Sequence, residues 1–533
     1  MPATDDLAPD AARERPRHWI NAATRRASLK AVGQSGSEPL DLLVIGGGIT
    51  GAGVALDAAS RGLRVALVER RDLGSGTSGW SSKLIHGGLR YLAKGDIGLA
   101  RESAVERHHL ITRIAPHIVH PYQSVIPLGD YLPRKDAALV YSGLRLADLL
   151  RRSCRTPSDV LPGPSRISAH EVGLLAPAVS QVGLRGGLTY WDGQVEDDVR
   201  LVVAVARTAA ALGAHIITHC EAADVNPRSA TLTDALTGEQ HIAHAEVVVN
   251  ATGVWAGEIA QGIHTVPSRG THLIVRSSLL GDPRAIVTVP VPGTIGRYVF
   301  AIPQPDGVCY VGLTDEPAPG EDPYAPSVPP SDEKFLLETI STALSVPVRP
   351  EDVIGRFAGL RPLVSDGSGE HTADISRKHL LIDQPGQPLT ITGGKLTTYR
   401  KMAQETVDAA LARLGRSAAC VTEDLPLVGA ADRTTLRAID APARLVRRFG
   451  TEAPAIAALA DGDPSLLEPI SPRLPVLGVE VVHGVLAEGA LNVDDFLDRR
   501  VRVGLVPEDR ERIRWECTKL VEQALARVRS AST

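Results

Sequence analysis

Aromatic residues, closely spaced cysteines, long apolar runs and excess charge are all scarce in this chain, and each scarcity excludes something. Aromatics make up 4% of the residues, too few to build base-stacking platforms. The formal net charge is only −5, so no general nucleic-acid-binding surface is indicated. The five cysteines, Cys154, Cys220, Cys309, Cys420 and Cys517, form no C-x-x-C pair. Zinc ribbons and iron–sulfur clusters need neighbouring thiolates, so no metal centre is expected. Scattered, odd-numbered cysteines also suit a reducing compartment better than a disulfide framework. The longest conspicuous uncharged run, Leu42 to Leu56, is too short and too rich in glycine to span a bilayer. No apolar h-region follows the early basic residues, so no secretory signal is expected. Gly 50 and Pro 38 among 533 residues fall short of low-complexity usage. A chain of this length is expected to form two to four globular domains.

Residues 1–38 are expected to form a flexible tail. Six bases and one acid lie between Arg13 and Lys30. Trp19, Ile20, Ala23 and Ala27 fit one helical face, but that face is small. A frayed extension is therefore favoured over a membrane-surface helix. The first strong element is the apolar run Asp41–Ile45, a buried strand. A helix over Gly51–Arg61 and a strand over Arg64–Glu69 follow, giving a βαβ unit with its right-handed crossover. A helix over Val199–Leu212, opened by the acids Glu196, Asp197 and Asp198, precedes a strand over His215–His219. Further strands are expected at Glu246–Asn250, Leu380–Ile382 and Leu389–Thr392. Between them come β-rich runs at Gly270–Val275, Tyr298–Ile302 and Cys309–Leu313, separated by Pro and Gly. Pro317 to Pro330 is a Pro-rich loop, and Leu436–Phe449 and Arg510–Val528 have helical periodicity. The fold class is thus α/β. A Rossmann-type nucleotide-binding domain is assembled from separated pieces (about 39–125, 185–260 and 355–427), with mixed-sheet insertions between them. A helical C-terminal domain covers 428–533.

The chemistry begins at Gly46-x-Gly48-x-x-Gly51, between the first strand and its helix. Gly46 permits the tight turn, Gly48 lets a pyrophosphate approach the backbone, and Gly51 lets helix pack on strand. The helix N-terminus then faces the phosphates. Glu69, 18 residues beyond Gly51, ends the second strand, where a carboxylate accepts hydrogen bonds from ribose. This motif alone leaves NAD and FAD open. His215 and His219 have metal-like spacing, but on a strand they stand too far apart to share an ion. His241 and His244 fall in a polar turn and are read as non-ligands too.

A denser pattern follows in Thr77-Ser78-Gly79-Trp80-Ser81-Ser82-Lys83-Leu84-Ile85-His86-Gly87-Gly88-Leu89-Arg90-Tyr91-Leu92. With Ala251-Thr252-Gly253-Val254-Trp255-Ala256, Gly359-Leu360-Arg361-Pro362-Leu363 and Gly393-Gly394-Lys395-Leu396-Thr397-Thr398-Tyr399-Arg400, it closely resembles the FAD-dependent glycerol-3-phosphate dehydrogenases. The resemblance runs from about Asp41 to Lys401, continues more weakly into the C-terminal part and leaves out the tail.

The resemblance implies an FAD domain of the glutathione-reductase type and a substrate domain like those of glycine and amino-acid oxidases. It implies FAD as cofactor, held by Gly46, Gly48, Gly51, Glu69, Thr77, Ser78, Ser82, Lys83, His86, Gly87, Gly88, Ala251, Thr252, Gly253, Gly394, Leu396 and Thr397. The implied reaction is oxidation of sn-glycerol 3-phosphate to dihydroxyacetone phosphate, with hydride transfer to flavin N5 and electrons passed to membrane quinone. Arg90, Thr314, Arg377 and Lys395 are implied to bind substrate. Convergent bases suit a phosphomonoester with nearly two negative charges. His272, Arg361 and Tyr91 are the implied catalytic residues: His272 as the base for the hydroxyl proton, Arg361 to stabilise a developing alkoxide, Tyr91 near the reacting end. The expected setting is the cytoplasm, at the inner face of the cell membrane through peripheral contact, with a homodimer as a further expectation. Two rival readings are an oxidase that gives the electrons to oxygen and a non-catalytic flavin-binding regulatory module.

Overall fold

The computed structural model describes residues 17–34, 38–88, 91–92, 95–260, 262–263, 265–294, 296–364 and 378–531. Two large sheets form its centre. In the first, strand Leu40–Ile45 lies between Gln240–Asn250 and Val65–Val68, with both pairings parallel. Strands Leu389–Gly393 and His215–Ile217 extend it in parallel on either side. The apolar run of Leu40–Ile45 follows from burial on both faces. Leu42 and Val44 pack into one core with helix Ile49–Ser60 and helix Asp198–Ala211, while Leu43 and Ile45 pack into another beneath the meander Cys220–Asn226, Ser229–Asp234 and Gln240–Asn250. Asp197 caps helix Asp198–Ala211 by accepting from the Arg200 N–H at 3.1 Å. The expected α/β nucleotide-binding architecture is therefore present.

The second sheet is mixed. Strand Thr265–Arg276 pairs antiparallel with both Gly355–Val364 and Val308–Gly312. The sheet continues through Tyr298–Pro303, Ile286–Pro290, Val119–Pro127 and Gly187–Val195 to the short strand Leu84–Ile85. Several of its strands come from segments assigned by sequence to the nucleotide-binding domain: 119–127 and 187–195 pair with each other, and 355–364 pairs with 265–276. The sequence shows strand propensity but not which sheet completes a strand's hydrogen bonds.

The expected frayed tail is corrected over residues 20–33. Helix Ala22–Gly33 is capped by Asn21, which accepts from the Ala23 and Thr24 N–H groups at 2.9 and 3.1 Å. The buried face of the helix carries Arg25, Leu29 and Val32; of the expected stripe Trp19, Ile20, Ala23 and Ala27, Ile20 is buried, Ala23 is partly buried and Ala27 is exposed. Arg25 donates to the Thr218 carbonyl at 2.6 Å, to the His219 carbonyl at 3.0 Å and to Asp234 at 2.5 Å. One of the six bases in the expected tail, Arg25, is thus a buried anchor. Residues 1–16 lie outside the described residues.

The C-terminal region is a set of helices, including Gly478–Ala487 and Pro507–Ser530, with the small hairpin Pro469–Ser471/Leu474–Leu477. The single helix expected over Leu436–Phe449 is two, Arg433–Arg437 and Ala443–Phe449. Pro442, which has no N–H to donate, separates them. Buried arginines fasten this region to the nucleotide-binding domain. Arg207 pairs with Glu452 at 2.7 and 2.8 Å, and Arg500 with Asp72 at 2.6 and 2.9 Å. Arg200 forms a two-point contact with Glu488. Among the described residues, no helix is long and apolar enough to cross a membrane.

Removing one partner of a buried pair strands the other charge, at a cost of several kcal/mol. Arg25→Ala is therefore expected to lower the free energy of unfolding by about 3 kcal/mol in urea titrations. An unchanged midpoint would return residues 20–33 to the status of a loosely attached tail.

Candidate active site

The nucleotide end is built by the first sheet. Gly46 has φ +109°, and a Cβ there would stand 2.6 Å from the Ala251 carbonyl oxygen. A Cβ on Gly51 would lie 1.9 Å from the Gly46 carbonyl oxygen, so helix and strand meet only with glycine present. Gly48 starts helix Ile49–Ser60 without a side-chain cap, which leaves that N-terminus suited to an anion. Ser78 Oγ accepts from the Ile49 N–H at 2.9 Å and ties the 77–88 segment to this turn. Glu69 is held by the Gly47 and Arg71 N–H groups at 2.6 and 2.8 Å.

The reacting end is built by the second sheet. Strand alternation puts Ser268, Gly270 and His272 on one face, directly opposite Arg361, Gly359 and Phe357. His272 stacks on Phe357 at 4.7 Å with 6° between the ring planes, and its Nε2 lies 2.8 Å from Ser82 Oγ. Arg361 donates to Asp315 at 3.2 Å and to the Thr314 carbonyl at 3.3 Å. A Cβ on Gly270 would meet the Arg361 guanidinium at 2.4 Å, so glycine there gives the side chain its room. Lys395 Nζ donates to Ser103 Oγ at 2.8 Å and sits 3.8 Å from the centre of the Tyr91 ring. Gly394, with φ +71°, turns the chain so that Lys395 enters the site.

One cavity of about 1310 Å³ joins the two ends. This exceeds the roughly 300–1,000 Å³ of ordinary ligand pockets and suits a dinucleotide plus a small substrate. Gly46, Gly48, Glu69, Thr77, Ser78, Ser82, His86, Tyr91, Ala251, Thr252, Gly253, His272, Arg361, Gly394, Lys395, Leu396 and Thr397 all line it. Gly51, Gly87 and Gly88 do not line it. Gly51 packs behind the turn, the Gly87 N–H donates to Asp192 at 2.9 Å, and a Cβ on Gly88 would press on Ala100 at 2.9 Å.

Two expected contacts are corrected. Lys83 was expected to touch cofactor, but its ammonium is buried between Asp197 and Asp198 at 3.2 and 2.8 Å. Thr314 was expected to touch substrate. Its hydroxyl instead accepts from the Thr271 N–H at 2.9 Å and donates to Asp332 at 3.2 Å, behind the sheet. Arg90 and Arg377 lie outside the described residues.

Other lining groups gave no sequence signal. Tyr324, in the Pro-rich loop, lies 4.5 Å from Trp255 between ring centres, and Arg71 sits 3.5 Å over its ring. All but Arg71 line the cavity, on the side of Glu69. Asp315, the partner of Arg361, stood beside the Thr314 that sequence singled out.

The FAD dependent oxidoreductase family matches residues 41–400, and the C-terminal domain of alpha-glycerophosphate oxidase matches residues 420–527. Glycerol-3-phosphate dehydrogenase 1 of Mycobacterium tuberculosis is 48% identical over 501 residues, covering 93% of this chain and 96% of that protein. The chain belongs to the FAD-dependent glycerol-3-phosphate dehydrogenase family. Glycerol-3-phosphate dehydrogenase 2 of the same organism is 35% identical, over 93% of this chain and 86% of the relative. The solved glycerol-3-phosphate dehydrogenase of Bacillus halodurans, complexed with FAD, superposes with a TM-score of 0.68 at 25% identity over 96% of this chain and 98% of that one. The cofactor of this flavoprotein is FAD. The residues present fit it: a glycine cradle that any Cβ would fill, an uncapped helix start and a carboxylate at the strand end.

Burial, then the positive charges of Arg361 and Lys83, push the His272 imidazole down to a pKa of about 3. His272 is therefore neutral at any pH near 7. An unfolded histidine takes up its proton near pH 6.5. The stabilisation from keeping His272 neutral is thus present above pH 6.5 and is lost as pH falls toward 3. In histidine-labelled protein, assigned with His272→Gln, the His272 ring resonance is expected to show no titration step between pH 8 and pH 5. A step near pH 6.5 would contradict the electrostatics described.

Proposed function

We propose that the chain oxidises sn-glycerol 3-phosphate to dihydroxyacetone phosphate and passes the electrons to membrane quinone. The observation that carries this is the shared sheet face of His272 and Arg361, opening into the cavity that the glycine cradle also lines. The names of the relatives agree with the substrate. Bound FAD supplies hydride acceptance at N5 and onward electron transfer.

The chain's own residues do the rest. Lys395 and Arg361 provide positive charge for a phosphate dianion, and Tyr91 holds the Lys395 ammonium over its ring. His272, neutral and buried, accepts the hydroxyl proton of carbon 2 at Nε2, beside Ser82. Its depressed basicity is offset when the substrate brings negative charge into the pocket. Arg361, close enough to oppose a charge on His272, stabilises the alkoxide as it develops. Asp315 keeps that guanidinium in place. Arg90 and Arg377 are retained as further substrate contacts, by resemblance alone.

A quinone acceptor implies peripheral contact with the inner face of the cell membrane. The family name matched by the C-terminal region is that of an oxidase, so oxygen is the second reading for the acceptor. Steady-state assays on the FAD-loaded protein separate them. Dihydroxyacetone phosphate formation is expected to depend on a soluble quinone, and Arg361→Ala is expected to lower kcat/KM by about 100-fold. Hydrogen peroxide formed in step with substrate loss, without quinone, would establish the oxidase. Absence of turnover with either acceptor would leave the non-catalytic flavin-binding reading.

A further inference from the structure

Beyond Glu69 the cavity continues past Arg70, Cys220, Glu221, Ala222, Trp255 and Tyr324. The first five follow or belong to strands of the first sheet and its meander. Tyr324 does not. It comes from residues 318–329, which run from strand Glu316–Pro317, at the edge of the second sheet, to helix Pro330–Ser341. A stretch of this length without helix or strand is usually either functional or disordered, and this one is tied down.

At its base, the Ala318 N–H donates to the Pro267 carbonyl at 3.0 Å, and Ala318 is buried with Val254 and Leu360. Higher up, Ser327 donates to the Glu321 carboxylate through its N–H and its hydroxyl, at 3.0 and 2.6 Å. That contact closes a ring around residues 322–326. Inside the ring the Tyr324 N–H donates to Asp322 at 2.9 Å. Arg269, on the strand that carries His272, stands 3.7 Å from Glu321. Pro319, Pro323, Pro326 and Pro329 each fix one backbone angle, so less freedom is lost in holding this shape.

The tip of the loop meets the first sheet. The Tyr324 ring lies 4.5 Å from the Trp255 ring between centres, and the Arg71 guanidinium sits 3.5 Å over it. Arg71 also donates its N–H to Glu69. Burial, then the Glu69 charge, hold the Tyr324 hydroxyl above its usual range, so it stays protonated near pH 7 beside that carboxylate. The ends of the cavity are already oriented. His272 and Arg361 mark the reacting end, the helix start at Gly48 takes the pyrophosphate, and Glu69 takes the ribose beyond it. A group on the far side of Glu69 meets the adenosine half of a dinucleotide.

We propose that residues 318–329 form a strap that carries Tyr324 from the substrate sheet across to the nucleotide sheet, where its ring covers the adenosine half of FAD and retains the cofactor. An aromatic face backed by a guanidinium suits a purine plane. The inference rests on FAD as the cofactor and not on the substrate or the acceptor, and its test involves no turnover.

The test begins with flavin release from the FAD-loaded protein, followed by fluorescence after dilution. Tyr324→Ala is expected to release FAD about tenfold faster, and Tyr324→Phe, which keeps the ring, within about twofold of the wild type. Glu321→Ala, which opens the strap away from the cavity, is expected to release FAD about threefold faster. ADP carries the adenosine half without the flavin. In competition with FAD for the full-length chain stripped of cofactor, its inhibition constant is expected to rise about tenfold in Tyr324→Ala. The melting temperature without FAD is expected to match the wild type, while the increment that FAD adds shrinks. FAD release unchanged in Tyr324→Ala overturns the proposal. Faster release with ADP competition unchanged overturns it too, because Tyr324 would then act on the flavin half. So does a melting temperature lowered equally with and without FAD, which makes Tyr324 a packing residue. ADP that fails to compete even in the wild type also overturns it, since this end of the cavity would then hold no adenosine.

Discussion

The active site depends on the burial of one ammonium group. Lys83 is 2% exposed and sits between Asp197 and Asp198, at the start of helix Asp198–Ala211. Burial opposes ionisation of Asp198, but Lys83 and Arg502 outweigh it and hold the carboxyl below its usual range. Ser81 donates to the same carboxylate through its N–H and its hydroxyl, at 3.0 and 2.9 Å. Arg502 reaches in from the C-terminal region, donates to the Gly79 carbonyl and lies 5.0 Å over the Trp80 ring. Residues 79–83 are thereby clamped between two parts of the fold. Ser82, in the middle of the clamp, is left to face the cavity and meet His272. Loss of Lys83 would leave two buried carboxylates with Arg502 alone, at 3.8 and 3.9 Å, a penalty of roughly 3–5 kcal/mol.

This arrangement explains what the sequence could and could not say. The glycine turn, its strand and its helix are local, and spacing alone makes them legible. Gly46, Gly48 and Glu69 reach the cavity as the βαβ pattern requires. Lys83 was assigned to the cofactor through the resemblance of its segment, which does not show where its ammonium is paired. Its true partners lie more than a hundred residues away, at Asp197 and Asp198. Thr314 was misread for a related reason. Its motif brings it to the right strand end, but hydrogen bonds to Thr271 and Asp332 turn the hydroxyl behind the sheet. Arg25 shows the same limit at the level of the fold, since only the distant Asp234 makes its charge a buried one.

The second sheet contributes geometry more than chemistry. Direct pairing of His272 with Phe357 and of Ser268 with Arg361 fixes the imidazole and the guanidinium on one face. The intervening glycines leave room for the Arg361 guanidinium at Gly270 and for Trp80 at Gly359. Trp80, from the clamped segment, closes against Gly359 and lies 6.2 Å from Phe357 between ring centres. Segment 77–88 and the second sheet therefore meet in one packed wall of the cavity.

The central claim is that this wall holds a flavin where glycerol 3-phosphate can reduce it. The most direct measurement is the anaerobic absorbance of the FAD-loaded protein on addition of glycerol 3-phosphate alone. Bleaching of the oxidised-flavin bands, with one equivalent of dihydroxyacetone phosphate formed per flavin, is the predicted result. A flavin spectrum unchanged by saturating glycerol 3-phosphate would contradict the account.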